Sequence, residues 1–136
     1  MIRKIAAVIL GALLAMAVRF GTQLFSHAMY PSQPGADLST TQGAKLYFET
    51  IPTPALVLIL IGWGLSTLAG AWFAGFIARE KPLNYAWIVA LLVAIGTIVN
   101  FVNIPHPMWF MCVAILTIPV AAWIGGKLAS GHVSPV

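Results

Sequence analysis

Charged side chains are scarce in this chain. Of its 136 residues, seven are Lys or Arg and three are Asp or Glu, so 7% are charged, whereas a soluble domain has about 25%. So few charges cannot cover a water-facing surface, which excludes a soluble globular protein. The net charge of +4 comes from side chains at the ends of apolar runs, a pattern that sets membrane topology. It does not indicate a nucleic-acid partner.

Acidic residues are the scarcest charged type, and their number argues against an enzyme. Asp37, Glu49 and Glu80 are separated across loops and sides of the membrane, so no pair of carboxylates is available for acid–base catalysis. Ser26 and His27 are adjacent, which does not make a nucleophile and its base. The single cysteine cannot form an internal disulfide. We therefore expect a non-catalytic protein without a cofactor.

Apolar runs, in contrast, are long. Four of them reach the roughly 20 residues that cross a bilayer, namely 5–29, 54–78, 84–103 and 107–128. Backbone groups in lipid must bond internally, so each run is predicted to be helical. The first run resembles a signal peptide but is long and lacks a clear cleavage site, which favours a retained helix. The prediction is an all-α integral membrane protein, a four-helix transmembrane bundle forming one domain over 1–136.

Lysine and arginine predict the orientation of the bundle. With the N-terminus inside, the outer side holds Lys45 alone, and the cytoplasmic side holds Arg3, Lys4, Arg79, Lys81 and Lys127. Both termini are then cytoplasmic, and the loop 30–53 and the turn "NIPHP" face outward. The C-terminal residues 130–136 are expected to be mobile.

The outer loop 30–53 carries a helical pattern of its own. Ser39 and Gln42 have the spacing of a capping box, and apolar residues follow at helical spacing from Ala44 to Ile51. We expect a short helix along the outer membrane surface. The alternative is an ordered loop packed on the bundle.

Several short motifs together resemble a known group of proteins. A first helix ending in "HAMYP" is followed by the polar loop "PGADLSTTQ", a span with "GWG" and "AGAWFAG", and the turn "NIPHPMWF". This pattern resembles a group of small, uncharacterised four-span bacterial membrane proteins with no assigned activity. The resemblance covers most of the chain. It implies the four-span architecture and the bacterial inner membrane, and it implies no catalytic residue.

The second run carries small residues at a spacing of four. Gly62, Ser66 and Gly70 form a small-xxx-small face, which lets helix backbones approach closely in lipid. The face packs either inside the bundle or against another subunit. Ala121, Gly125 and Ala129 in the fourth run form a weaker counterpart.

Polar residues gather near the outer ends of the runs. Arg19, Gln23 and His27 recur at every fourth position and so share one helical face, and ionisable groups within a membrane suggest function. Arg19 could instead extend to the headgroups or pair with Glu49. Asn100 and Asn103 could serve only to form hydrogen bonds between helices. The predicted outer polar cluster consists of Arg19, Gln23, His27, Asn100, Asn103 and His106.

The stretch "NIPHPMWFMC" suggests a second kind of site. Imidazole, thioether and thiol are ligands that copper(I) favours. The predicted topology brings such groups to one membrane face, namely His27, Met29, His106, Met108, Met111 and Cys112. The alternative is a tight turn made by Pro105 and Pro107, in which methionine and cysteine pack as apolar residues.

These observations lead to three hypotheses for function. The first is an accessory or assembly subunit that packs against other membrane proteins or against itself in the bilayer. The second is a small transporter, channel or ligand-binding bundle that uses the outer polar cluster. The third is copper or haem binding at the outer face.

Overall fold

The structure is a computed structural model that describes residues 1–132. These residues form five helices and no strand: α1 (Ile2–Met29), α2 (Thr41–Thr50), α3 (Thr53–Ala78), α4 (Pro82–Asn103) and α5 (Met108–His132). Within this range, α1, α3, α4 and α5 are long and apolar enough to cross a membrane. The prediction of four such helices is confirmed, and α2 lies where a short helix was expected.

Helix boundaries differ from the predicted runs by a few residues. Helix α1 begins at Ile2, so Arg3 is helical. Helix α4 begins at Pro82, because the first position of a helix tolerates a residue without an N–H. Helix α5 continues to His132. The first residues of the predicted mobile tail are therefore helical, and the remainder of that tail lies outside the described residues.

The predicted capping box at the start of α2 is wrong. Thr40 caps the helix, and its hydroxyl oxygen accepts a hydrogen bond of 3.0 Å from the Gly43 N–H. Ser39 is engaged elsewhere, since its hydroxyl and its N–H both donate to the Asp37 carboxylate, at 2.6 and 2.9 Å. The turn formed by Asp37 therefore moves the cap one residue along the chain.

Helix α1 packs on α3 through small residues. Ala7, Gly11 and Ala15 recur at every fourth position and are buried. A Cβ added at Gly70 of α3 would lie 2.6 Å from the Gly11 carbonyl oxygen and 2.7 Å from the Ala15 Cβ. The two backbones are in contact there, which only small side chains permit.

Helix α5 makes two similarly close contacts. A Cβ added at Gly125 would lie 2.6 Å from the Leu68 carbonyl oxygen of α3, and one added at Gly126 would lie 2.9 Å from the Ala86 Cβ of α4. Ala121 and Ala129 are buried on the same helix. Helix α3 thus occupies the centre of the bundle.

The bundle has two ends, which we call the His106 end and the Glu80 end. At the His106 end lie α2 and the turn 104–107. At the Glu80 end, the start of α1 meets the turn between α3 and α4, since Lys4 Nζ lies 3.1 Å from Glu80 Oε2 and Arg3 donates a hydrogen bond of 3.3 Å to the Ala78 carbonyl. The outward faces between the two ends carry large apolar side chains that are exposed, as lipid contact requires.

Candidate functional site

A small cavity lies among the helices at the His106 end. Its volume is about 50 Å³, where a single water molecule needs about 10–15 Å³. Side chains from all five helices and both loops at this end line it. Four members of the predicted outer polar cluster are among them, namely Arg19, Gln23, Asn100 and His106. We call this cavity the Arg19 pocket.

Arg19 reaches the pocket because of its place on α1. It lies one turn beyond Ala15 on the small-residue face that packs on α3, so its long side chain is directed into the bundle. The guanidinium carbon lies 3.7 Å from the ring centroid of Trp63, a cation–π contact. Arg19 Nη1 also donates a hydrogen bond of 3.2 Å to the buried Thr97 hydroxyl. The guanidinium is therefore held inside the bundle rather than extended toward headgroups.

No carboxylate neutralises Arg19 within residues 1–132. The ion pair in this part of the chain joins Lys4 to Glu80 at the opposite end. Glu49, the acid considered as a partner, is exposed on α2 and does not pair with Arg19. A guanidinium has five N–H donors, and one of them is used by Thr97. The remaining donors and the positive charge are available to a ligand.

Trp63, which lines the same pocket, also carries an unsatisfied donor. The residue is 8% exposed, and it lines the pocket. Within residues 1–132, its indole Nε1 is one of two buried side-chain polar atoms without a hydrogen-bond partner, the other being Ser26 Oγ. A buried N–H without a partner is uncommon and calls for a water molecule or a ligand atom.

His106 forms one wall of the pocket in a fixed orientation. Its Nδ1 lies 2.7 Å from the Ile104 carbonyl oxygen, so Nδ1–H donates that bond and the neutral ring leaves Nε2 as an acceptor. The ring stacks on Phe110 at 5.4 Å between centroids and lies 4.6 Å from the Phe48 ring. Burial lowers the pKa of His106, the hydrogen bond to Ile104 raises it, and the nearby charge of Arg19 lowers it again.

Two members of the predicted polar cluster lie outside the pocket. The His27 ring packs against Tyr47 of α2, with 5.9 Å between centroids. Asn103 is exposed, and its amide donates a hydrogen bond of 2.9 Å to the Val99 carbonyl within α4. Tyr47 and Phe48 separate His27 from the pocket, so the predicted stripe does not form one continuous site.

The expected metal ligands are two histidines, three methionines and one cysteine. Residues 1–132 contain no group of three His, Cys, Asp or Glu side chains that could hold a metal ion. His27 and His106 contact opposite members of the neighbouring aromatic pair Tyr47 and Phe48. Most of the proposed sulfur ligands are exposed, as seen for Met29, Met108 and Cys112; Met111 is half-buried.

The predicted small-residue face of α3 is directed toward α1. A Cβ added at Gly62 would lie 2.6 Å from the Thr22 Cβ, and Gly70 meets Gly11 and Ala15 as described. Ser66 is buried between them, and its hydroxyl donates to the Trp63 carbonyl at 2.7 Å. The face is therefore occupied within the chain.

The pocket also contains residues that the sequence reasoning missed. Trp63 and Thr97 hold the guanidinium of Arg19, and Tyr47, Phe48 and Phe110 enclose the pocket. One signal was available for Trp63: it lies within a span, between Gly62 and Gly64, far from the interface where tryptophan is usually found. No signal marked Thr97. Comparison of the chain with protein-family models, curated proteins and solved structures finds no match.

Proposed function

We propose that this chain is a non-catalytic membrane protein that binds an anionic group in the Arg19 pocket. The observation that carries the proposal is the position of Arg19. Its guanidinium is held over Trp63, without a carboxylate partner in residues 1–132. Arg19 is half-buried, and withdrawing a charge from water is costly unless a counter-charge or hydrogen bonds compensate it. An anionic ligand would supply both and would also offer an acceptor to Trp63 Nε1.

The topology predicted from the sequence determines which side of the membrane the Arg19 pocket faces. We infer a transmembrane bundle of α1, α3, α4 and α5 in a bacterial inner membrane, with both termini in the cytoplasm and α2 at the outer surface. The contact between Lys4 and Glu80 supports a shared side for the N-terminus and the turn between α3 and α4. The Glu80 end then carries the positive residues that favour the cytoplasm, and the Arg19 pocket faces the outside.

Ligand binding accounts for the structure better than the accessory-subunit hypothesis does. That hypothesis rested in part on the face formed by Gly62, Ser66 and Gly70, and this face is covered by α1. The remaining exposed apolar surface suits lipid equally well. The copper or haem hypothesis gains no cluster of ligands within residues 1–132. The pocket, in contrast, combines a cation that has no carboxylate partner within residues 1–132 with room for a small group.

Thermal unfolding in detergent tests the proposal with inorganic phosphate as the probe. Sodium chloride of equal ionic strength serves as the reference. Phosphate should raise the Tm of the wild-type protein, because a ligand at 100 times its Kd stabilises the folded state by about 2.7 kcal/mol. Arg19→Gln should abolish the increase. Lys45→Gln, which removes an exposed charge at the same end, should leave it intact.

Two results would contradict the proposal. One is a wild-type Tm that does not respond to phosphate at any concentration. The other is an equal loss of response in both variants, because that result would indicate a diffuse effect of positive charge rather than a site at Arg19.

A further inference from the structure

A second space adjoins the Arg19 pocket. It is a cleft of about 280 Å³ between α1 and α4, with Ser66 of α3 at its floor. Its walls are apolar or small and include Ala12, Met16, Leu92 and Gly96. A Cβ added at Gly96 would have no atom within 4 Å, so α1 and α4 stand apart at this level.

The cleft opens on the side that faces the bilayer. The Met16 side chain at its edge is 67% exposed and Leu92 is 44% exposed. From Arg19 to Ala12 the cleft follows seven residues of α1, roughly 10 Å at 1.5 Å per residue. It therefore extends from the pocket toward the interior of the membrane.

Arg19 and Asn100 line both the pocket and the cleft. The two spaces therefore meet at a cation and an amide, with an aromatic polar pocket on one side and an apolar cleft on the other. This arrangement matches the division of an amphiphile into a charged head and a hydrocarbon tail. The sign of the head follows from Arg19, which has no carboxylate partner within residues 1–132.

We propose that the pocket and the cleft form one site for an anionic acyl lipid with a small head, a carboxylate or a phosphate monoester. This inference rests on the proposed anion binding in the Arg19 pocket and adds the class of ligand. The head binds Arg19 and Trp63 Nε1, and one acyl chain lies in the cleft between α1 and α4. Because the cleft is open laterally, the lipid enters from the outer leaflet.

The test compares four probes in detergent solution by thermal unfolding. The probes are dodecyl phosphate, inorganic phosphate, dodecanol and dodecyltrimethylammonium. Dodecyl phosphate should bind most tightly, since it has both an anionic head and a hydrocarbon tail. The cationic amphiphile should not bind. Nanodiscs of phosphatidylcholine, with and without phosphatidic acid, then distinguish a membrane lipid from a free anion. Phosphatidic acid should raise the Tm and should compete with inorganic phosphate.

A pair of glycine variants separates the cleft from the pocket. Gly96→Leu places a side chain in the cleft at a position where an added Cβ meets no atom within 4 Å. Displacing two methylene groups of the tail should weaken dodecyl phosphate binding about tenfold, while inorganic phosphate binding is unchanged. Gly21→Leu is the matched control, because a Cβ at Gly21 also meets no atom within 4 Å and the residue does not line the cleft.

The outcomes distinguish this inference from the proposed function. If inorganic phosphate binds through Arg19 but Gly96→Leu leaves dodecyl phosphate binding unchanged, the lipid site is wrong and anion binding stands. If neither phosphate compound binds, both proposals fail.

A diazirine-bearing dodecyl phosphate gives an independent measurement on the wild-type protein, which does not depend on the folding of a variant. Crosslinks to Met16 or Leu92 are expected, and crosslinks confined to other faces would overturn the proposal.

Discussion

The guanidinium carbon of Arg19 lies 3.7 Å from the ring centroid of Trp63, and both side chains carry N–H groups without a protein acceptor in residues 1–132. The contact joins α1 to α3 at the level where the small residues of their interface give way to polar ones. It holds a positive charge in place before any ligand arrives. Such preorganisation reduces the unfavourable free energy of ordering the Arg19 side chain when a ligand binds.

Replacing Arg19 by Met should stabilise the ligand-free protein. Arg19 is half-buried, so its charge loses part of its hydration, and the contacts with Trp63 and Thr97 offset only part of this cost. Methionine keeps the length of the side chain and removes the charge. We expect the free energy of unfolding to rise by about 1 kcal/mol, measured by denaturant titration without phosphate, and phosphate binding to disappear. A large loss of stability would show that Arg19 is structural.

Gly70→Leu should disrupt the bundle. A Cβ at this position already meets the Gly11 carbonyl at 2.6 Å and the Ala15 Cβ at 2.7 Å, so a leucine must separate α1 from α3. Overpacking of this kind costs about 1–3 kcal/mol or more, which thermal unfolding would detect. Gly21→Leu, at an open position on α1, is the control and should unfold at nearly the wild-type temperature. Equal stability of the two variants would contradict the observed packing.

Acidification should destabilise the protein through His106. Its pKa in the folded protein lies below the usual value of about 6.5, chiefly because the ring is half-buried, and Arg19 is a nearby cation that acts in the same direction. The unfolded chain therefore takes up a proton at a higher pH than the folded chain does. Stability contributed by this group is complete above about pH 6.5 and decreases as the pH falls below that value.

His106→Gln removes this contribution and provides the control. The dependence of Tm on pH between about 5 and 8 should be shallower in the variant than in the wild type. Identical pH profiles would show that His106 is not titrating in a buried site.

Labelling of single cysteines tests the orientation. In a Cys112→Ser background, Ser32→Cys should react with a membrane-impermeant maleimide from outside intact cells. His132→Cys should react only after the membrane is permeabilised. The reason is the excess of Lys and Arg at the Glu80 end. The reverse pattern of labelling would place the Arg19 pocket on the cytoplasmic side.

Native mass spectrometry from a mild detergent tests the competing hypotheses, with metal analysis of the same sample. We predict a single chain carrying anionic lipid, because the small-residue faces of α3 and α5 are both occupied within the chain. A stable complex with another protein would favour the accessory-subunit hypothesis. Stoichiometric copper or haem iron would favour the hypothesis of copper or haem binding.

Local sequence patterns were sufficient to predict the helices of this protein. Long apolar runs separated by prolines determine where helices form in lipid, and the structure has its four long helices in those runs. The predicted cap of α2 was wrong because neighbouring side chains compete for the same hydrogen-bond donors. Ser39 has the spacing of a cap, but the Asp37 carboxylate takes its donors, and Thr40 caps instead.

The pocket could be predicted only in part, because it depends on how helices meet. Arg19 and Gln23 were recognised from their shared face, and both line the pocket. Asn100 and Asn103 looked equivalent in sequence, because residues three apart lie on nearly the same face of a helix. Asn100 lines the pocket, whereas Asn103 is the exposed last residue of α4 and its amide donates to the Val99 carbonyl. The contact of Arg19 with Trp63 joins two different helices, and no pattern along the chain reports such a pairing.

Anomalous diffraction from crystals grown with selenate would locate an anion bound at Arg19, because selenate has the charge and shape of a phosphate head and gives a selenium signal. We expect an anomalous peak in the Arg19 pocket, with selenate oxygens within hydrogen-bonding distance of the Arg19 guanidinium and of Trp63 Nε1. A pocket without selenate or any other anionic group, with Arg19 turned outward to the membrane surface, would contradict the proposed anion binding.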